Sequence, residues 1–133
     1  MVVVDTNVLV HFMFEDEKSP WTRSLRFEDA QWILPELWRH EFLNVLATIS
    51  KSGRDSLVVL TATWIRAEGL FNTCERKGNA VAALEMAASL SISGYDAQFL
   101  TLARQLGTVL VTEDRELLKK APHLTRPLSY YQT

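Results

Sequence analysis

The N-terminal stretch of the chain reads Val2-Val3-Val4-Asp5-Thr6-Asn7-Val8-Leu9-Val10. Its opening run of valines is typical of a strand covered by helices on both faces, as in a parallel sheet. Ligands of such sheets bind beyond the carboxyl ends of the strands. We therefore expect Asp5 to lie at a functional edge with Asn7 beside it, and Thr6 is a candidate N-cap for the following helix. The alternative is that Asp5 only caps that helix.

Length and composition predict one soluble globular domain over residues 1–133, because 47% of the residues are hydrophobic and 23% are charged. No apolar run approaches the ~20 residues that span a bilayer, and the N-terminal valines lack a signal peptide's basic flank, so we expect a cytoplasmic protein. The single Cys74 excludes an intrachain disulfide. The net charge of −2 leaves no general attraction for nucleic acid, so phosphate binding must depend on a local patch or a bound cation.

Strands and helices are expected to alternate along the rest of the chain, which predicts an α/β fold. Gly53, Gly69 and Gly107 are expected to end helices, and Ser19 with Pro20 and Asn79 to begin them. The predicted helices cover about residues 8–14, 19–28, 35–51, 55–67, 79–90, 94–106 and 115–120. The predicted strands cover residues 2–4, 32–34, 70–74, 109–112 and 128–130.

Three further acids stand at informative places in this pattern. Asp114 follows the apolar strand 109–112 and repeats the opening design of strand, threonine and acid. Asp96 lies in the first turn of a helix, where the dipole favours a carboxylate for structural reasons alone. Glu41 interrupts the edge of an apolar helical stripe, one turn from Leu37 and Val45, and could also be a stripe-margin residue that reaches water.

These acids can share one pocket, because the carboxyl ends of parallel strands face the same side of a sheet. Asp5, Asp96 and Asp114 would meet there, and Glu41 would join them if its helix packs across that edge. Neighbouring carboxylates repel one another unless protons or cations intervene, and their hard oxygen atoms suit Mg²⁺ or Mn²⁺. Mg²⁺ commonly completes its coordination with phosphate oxygens, so the pattern points to phosphoryl-transfer chemistry.

Four segments together resemble the PIN domain, and especially toxins of the VapC type. The segments are Val-Val-Asp5-Thr-Asn7-Val-Leu, Glu41-Phe-Leu-Asn-Val-Leu, Tyr95-Asp96-Ala97 and Leu-Val-Thr112-Glu-Asp114-Arg-Glu-Leu. They occur in the family's order and approximate spacing, and the resemblance covers nearly the whole chain.

The resemblance implies an α/β/α sandwich around a mostly parallel sheet, and a metal-dependent ribonuclease with Mg²⁺ or Mn²⁺ held by Asp5, Asp96 and Asp114. It also implies an RNA substrate, a homodimer and a cognate antitoxin that buries part of itself in the acidic groove. The implied acidic quartet is Asp5, Glu41, Asp96 and Asp114, supported by Asn7 and Thr112. Candidate contacts to the RNA backbone are Arg39, Arg66, Arg104, Arg115, Lys119 and Lys120.

Several alternatives remain open at this point. PIN domains also serve in RNA processing and decay, and a catalytically silent binding module is possible, although an intact quartet argues against it. A haloacid-dehalogenase-like phosphatase also begins with a valine strand and an Asp, but it needs a second Asp where this chain has Asn7. A receiver-like phosphoacceptor would need an acidic pair near the first strand and a lysine after the last, and neither is convincingly present.

Overall fold

The computed structural model describes residues 1–133 and has a five-stranded sheet at its centre, in the order β3-β2-β1-β4-β5. All four strand pairings are parallel, and Val3 of the central strand pairs with Ile33 on one side and Leu110 on the other. The strands are β1 (Val2–Val4), β2 (Trp32–Pro35), β3 (Glu75–Arg76), β4 (Leu110–Thr112) and β5 (Thr125–Pro127).

Seven α-helices cover the two faces of the sheet, which gives the α/β/α sandwich expected from the sequence. The first four helices pack on one face and the last three on the other. None of the helices has the length and apolar character needed to cross a membrane. The helices are α1 (Thr6–Met13), α2 (Ser19–Glu28), α3 (Leu37–Ser52), α4 (Leu57–Phe71), α5 (Ala80–Leu90), α6 (Gly94–Gln105) and α7 (Arg115–Lys120).

The two faces of the sheet have different cores, because successive strand side chains point to opposite sides. On the α1–α4 side the core is aromatic: the rings of Trp32 and Phe71 stack with their centroids 5.7 Å apart, and Trp38 meets Phe71 edge to face. On the other side the core is aliphatic apart from Phe99 and contains several alanines of α5 and α6. These alanines let the two helices lie close together, so the Ala-rich sequence serves packing.

Several helix ends lie where the sequence predicted them. Gly53 and Gly107 end or follow helices with φ values of 74° and 67°, a left-handed conformation that favours glycine. Asn79 caps α5, and its side chain accepts a hydrogen bond from the backbone N–H of Ala82 at 3.0 Å. These signals are local, and neighbouring elements do not alter them.

The predicted helix end at Gly69 and the predicted strand over residues 70–74 are wrong. Helix α4 continues through Gly69 to Phe71, and a 3₁₀ turn, Asn72–Cys74, leads into the short strand β3. Phe71 is fully buried against Trp32 and Trp38. Burial of that ring, which is worth about 1.5–3 kcal/mol, outweighs the loss of about 1 kcal/mol from glycine within a helix.

The predicted last strand and two helix starts are also displaced. The strand that pairs with β4 is Thr125–Pro127, and Leu128–Tyr131 form a 3₁₀ turn; Pro127 fits there because an edge strand has an N–H position that needs no partner. Ser19 is the first residue of α2 instead of its cap, since its hydroxyl donates to the carbonyls of His11 and Phe14. Pro35 ends β2, so α3 begins only at Leu37.

Candidate active site

Asp5 lies at the carboxyl end of the central strand, where β1 passes directly into α1. Its backbone N–H donates to the carbonyl of Val111 at 3.0 Å, so the pairing with β4 holds it in place. The side chain is 8% exposed. Its Oδ1 accepts a hydrogen bond from the Thr6 backbone N–H at 2.8 Å, and its Oδ2 accepts one from the Thr112 hydroxyl at 2.7 Å. Both carboxylate oxygens are therefore oriented by the protein.

Thr6 links this acid to the third helix. The Thr6 hydroxyl donates to Oε1 of Glu41 at 2.7 Å. The prediction that Thr6 caps α1 is wrong: the helix begins at Thr6 and its N-cap is Asp5, because the threonine hydroxyl is occupied by Glu41. Glu41 is half-buried between turns of α3 that bury Trp38 and Phe42. The helix therefore packs with Glu41 turned towards the same edge as Asp5.

Thr112 and Asn7 connect the ends of β1 and β4. The Thr112 hydroxyl, besides donating to Asp5, accepts the backbone N–H of Asp114 at 3.0 Å. Oδ1 of Asn7 accepts the backbone N–H of Glu113 at 3.2 Å, and its Nδ2 lies 3.5 Å from Oγ1 of Thr112. Both residues hold the turn after β4 against the start of α1; their supporting role in a reaction stays a prediction.

Asp114 both follows β4 and caps α7. Its Oδ1 accepts hydrogen bonds from the backbone N–H groups of Glu116 at 2.9 Å and Leu117 at 3.1 Å. Its Oδ2 accepts none. The cap satisfies two N–H groups that the first turn of a helix leaves without partners. One carboxylate oxygen of Asp114 is therefore free to meet a ligand.

Asp96 reaches the same edge from the opposite helical layer. It lies in the first turn of α6, where the hydroxyl of the N-cap Ser93 accepts its backbone N–H at 3.0 Å. Its half-buried carboxylate is close enough to Asp5, Glu41 and Asp114 for their charges to influence one another. The structure thus brings all four predicted acids to one edge of the sheet.

The environment of these acids opposes their ionisation. Burial, aided by the charges of Glu41 and Asp96, raises the pKa of Asp5 to about 7, although hydrogen bonds from Thr112 and Thr6 act in the other direction. Burial also raises the pKa of Glu41, with a further contribution from Asp96, and raises the pKa of Asp96, with a further contribution from Asp114. None of the four carboxylates forms an ion pair with a basic residue.

The donor set fits a divalent cation by its chemistry. Four carboxylates without a cationic partner repel one another, and a bound Mg²⁺ or Mn²⁺ would relieve that repulsion. No three His, Cys, Asp or Glu side chains converge closely enough to form a complete metal site. An open arrangement still suits Mg²⁺, which keeps several water ligands and is commonly bound by only one or two carboxylates together with substrate phosphates.

Comparison with known protein families identifies the family of the chain. A family model described as the PIN domain matches residues 2–123, a range that contains all four acids. The chain belongs to the PIN domain family. A search of curated protein sequences finds no match to this PIN domain.

Two solved structures share the fold of this PIN domain. The crystal structure of PAE2754 from Pyrobaculum aerophilum has a TM-score of 0.76 and 22% sequence identity, and the match covers 97% of this chain and 84% of that one. A toxin-antitoxin complex from Klebsiella pneumoniae has a TM-score of 0.71 and 14% identity, with 96% and 98% of the two chains covered. At these identities the likeness concerns the fold alone.

Several cations considered as RNA contacts are engaged within the protein. Arg39 pairs with Glu68 at 2.6 Å and with Glu75 at 2.5 Å. Lys120 pairs with Glu116, and Arg66 donates to the carbonyl of Met13. Two other basic residues, for which the sequence predicts no role, form no ion pair: Arg76, the last residue of β3, and Lys77, which follows it. No local signal in the sequence predicts the link from Thr6 to Glu41 either.

Proposed function

We propose that this PIN domain is a metal-dependent endoribonuclease that acts as the toxin of a toxin-antitoxin pair. The observation that carries the proposal is the acidic edge, where Asp5, Glu41, Asp96 and Asp114 lie within electrostatic reach and lack cationic partners. PIN domains are generally nucleases. The toxin assignment is supported by the resemblance to VapC-type sequences and by the fold shared with the Klebsiella pneumoniae toxin-antitoxin complex.

Asp5, Asp96 and Asp114 would hold Mg²⁺ or Mn²⁺ in this proposal. A divalent ion supplies charge neutralisation at the phosphodiester and lowers the pKa of bound water. Thr112 and Thr6 hold the Asp5 carboxylate in one orientation, so its position does not depend on the substrate. Glu41, anchored through one oxygen to Thr6, has a raised pKa and is suited to accept a proton from the attacking water.

The proposed partners are a second copy of the chain and a cognate antitoxin. Apolar side chains lie exposed on the outer surfaces of α4 and α5, and such surfaces commonly mark protein interfaces. We expect the homodimer and the antitoxin complex to cover parts of these two surfaces, which lie on opposite faces of the sheet, with the antitoxin also reaching the acidic edge. The exposed apolar residues are Leu57, Val58, Val59, Ile65, Leu70, Val81 and Leu84.

The nuclease activity is tested with the purified protein and an end-labelled single-stranded RNA. We expect cleavage with Mg²⁺ or Mn²⁺, none in excess chelator, and no effect of reducing agent, because Cys74 lies outside the site. Asp5→Asn should be inactive. The matched control is Asp55→Asn, the same change beyond the far end of α3, which should cleave like wild type. Full activity in chelator would refute the metal requirement.

The toxin assignment needs a separate experiment in cells. Induced expression of the wild-type chain should arrest bacterial growth, whereas expression of Asp5→Asn should not. When the Asp5→Asn protein is expressed from its native locus and purified, a small protein should co-purify with it. If the wild type cleaves RNA but neither arrests growth nor brings down such a partner, the protein is an RNA-processing nuclease instead.

A further inference from the structure

A pocket of about 560 Å³ adjoins the acidic edge between α3, α5 and α6. Tyr95, which lines it, directly precedes Asp96, and Leu37, which also lines it, lies one turn before Glu41. The pocket therefore lies beside the candidate active site, although none of the four acids lines it. The volume falls within the ~300–1,000 Å³ that is usual for small-ligand sites.

Thr101, in the third turn of α6, lines this pocket and is 1% exposed. Its hydroxyl oxygen is buried and has no hydrogen-bond partner. Buried hydroxyl groups almost always have a partner, often the carbonyl four residues earlier in the helix, because an unpaired group loses the hydrogen bonds it made with water. A polar ligand atom in the pocket would supply the partner that Thr101 lacks, once a shift of the neighbouring side chains opens the buried hydroxyl to it.

The rim of the pocket carries cations that are free to meet an anion. Arg76 and Lys77 are both exposed and neither forms an ion pair; Arg76 donates only to the carbonyl of Glu75, at 3.0 Å. Gly94 places the positive end of α6 in the same rim, where a helix favours negative charge. Glu36 is the one acid that lines the pocket, so the rim has a local basic excess within a chain that is acidic as a whole.

Tyr95 adds an aromatic surface to this basic rim. Its side chain is 64% exposed and its ring contacts no other aromatic ring and no cation. Gln98 lines the pocket less than one turn further along α6 and carries both a donor and an acceptor. An exposed ring beside a polar amide matches the way proteins bind an unpaired nucleobase, by stacking on its face and hydrogen bonding to its edge.

We propose that this pocket binds one nucleotide of the RNA strand, adjacent to the phosphodiester that is cleaved at the acidic edge. Tyr95 stacks on the nucleobase, and Arg76 and Lys77 contact the phosphate. Thr101 and Gln98 form hydrogen bonds with the polar edge of the nucleobase. The proposal rests on the proposed nuclease function and adds the residues that select the cleavage position. A nucleotide combines the three features that the pocket complements: a phosphate, a flat aromatic ring and a polar ring edge.

The test is steady-state cleavage of short single-stranded RNAs by variants of the full chain. Tyr95→Ala should raise KM about tenfold or more with little change in kcat, and Tyr95→Phe should restore the wild-type KM, because a ring of either kind stacks on a base. The matched control is Tyr130→Ala, which removes a tyrosine of similar exposure, 62%, outside the pocket. It should leave KM unchanged.

The charge and base contacts are tested in the same assay. Lys77→Gln should flatten the dependence of log KM on log salt concentration by about 0.7, the value for one lost phosphate contact on a single strand. Lys51→Gln removes an equally exposed charge at the far end of α3 and should not change the slope. Thr101→Val should alter the preference among the four bases at one position while the melting temperature stays equal or rises, since it removes an unpaired buried hydroxyl.

The nucleotide pocket would be overturned if the wild type cleaves RNA and its KM and base preference are unchanged in Tyr95→Ala, Lys77→Gln and Thr101→Val. That outcome would leave the nuclease proposal intact. An inactive wild type would instead contradict the nuclease proposal. Sedimentation of Tyr95→Ala provides a further check. A change of oligomeric state with KM unaltered would show that a second copy of the chain occupies the pocket, and this would also overturn the proposal.

Discussion

Asp5 and Asp114 follow neighbouring strands of the same sheet, and their local sequences share an apolar strand, an acid and then a helix. Each is the N-cap of the helix that follows it. Their surroundings nevertheless differ. Asp5 is buried and uses both carboxylate oxygens in hydrogen bonds, whereas Asp114 is half-buried and keeps one oxygen free.

The difference follows from where the two strands lie in the sheet. Strand β1 is central, so Asp5, the residue after it, is enclosed by the ends of β4 and α1 and by side chains of α3. Strand β4 lies one place nearer the edge, and the turn after it faces solvent on one side. Burial raises the pKa of Asp5 to about 7, so this acid can be protonated near neutral pH. Two similar local motifs thus acquire different chemistry from their tertiary positions.

The largest effect is expected when the charge of Asp5 is removed without a change of shape. Asp5→Asn should lower kcat/KM for RNA about a thousandfold or more, which corresponds to roughly 4 kcal/mol of transition-state stabilisation. Mg²⁺ should raise the melting temperature of the wild type in proportion to the logarithm of its concentration above the dissociation constant, and that of the variant much less. Equal cleavage and an equal response to Mg²⁺ would make Asp5 only a helix cap.

The next effect concerns the pH dependence of stability in chelator. Because the pKa of Asp5 rises from 3.8 to about 7 on folding, the folded state binds more protons than the unfolded state between these values. The free energy of unfolding should therefore fall as pH rises from about 4 to 7, by at most roughly 4 kcal/mol from this group. Denaturant titrations across this range measure the slope.

Asp5→Asn should reduce this pH slope without abolishing it, because the raised pKa values of Glu41 and Asp96 act in the same direction. At pH 8 the variant should be at least as stable as the wild type, since it lacks a buried charge. Asp55→Asn is the control and should keep the wild-type slope. An identical slope in Asp5→Asn would show that Asp5 is not the group whose ionisation opposes folding.

A smaller effect is expected from Thr112→Val, which keeps the side-chain shape and removes the hydroxyl that joins the two acids. Oδ2 of Asp5 and the backbone N–H of Asp114 would both lose their partner. The variant should be about 1–3 kcal/mol less stable to denaturant. The pH-dependent fall in stability should also extend to higher pH than in the wild type, because the hydrogen bond from Thr112 lowers the pKa of Asp5.

The control for this change is Thr48→Val on the exposed surface of α3, which should alter stability by less than about 0.5 kcal/mol. If the fall in stability ended at the same pH in Thr112→Val as in the wild type, the hydroxyl would not favour the ionised form of Asp5, and the proposed coupling between the ends of β1 and β4 would be wrong.

The smallest effect on stability separates the two roles of Asp114. Asp114→Ala removes the cap of α7 and should cost about 1 kcal/mol of stability, whereas Asp114→Asn keeps the acceptor oxygen and should cost a few tenths at most. Both variants should lose RNA cleavage, because both remove the charge. Retained cleavage in Asp114→Asn would leave Asp114 with a structural role alone.

The sequence by itself determined the features that depend on neighbouring residues. The valine run and the apolar run before Thr112 indicate buried strands, the residues after them indicate functional strand ends, and Gly53 and Gly107 indicate helix ends. Parallel strands align their carboxyl ends, so the shared location of Asp5, Asp96 and Asp114 also follows from the pattern. Their roles in metal binding and catalysis remain predictions that the experiments above test.

Only the tertiary structure decided the features that depend on residues distant in the chain. Phe71 carries α4 past Gly69 because the ring is buried against Trp32 and Trp38, and this moves β3 to Glu75–Arg76. That shift places Arg76 and Lys77 at the rim of the pocket. The hydrogen bond between Thr6 and Glu41, like the burial that raises the pKa of Asp5, arises from packing between separate segments, and no local pattern of residues encodes such contacts.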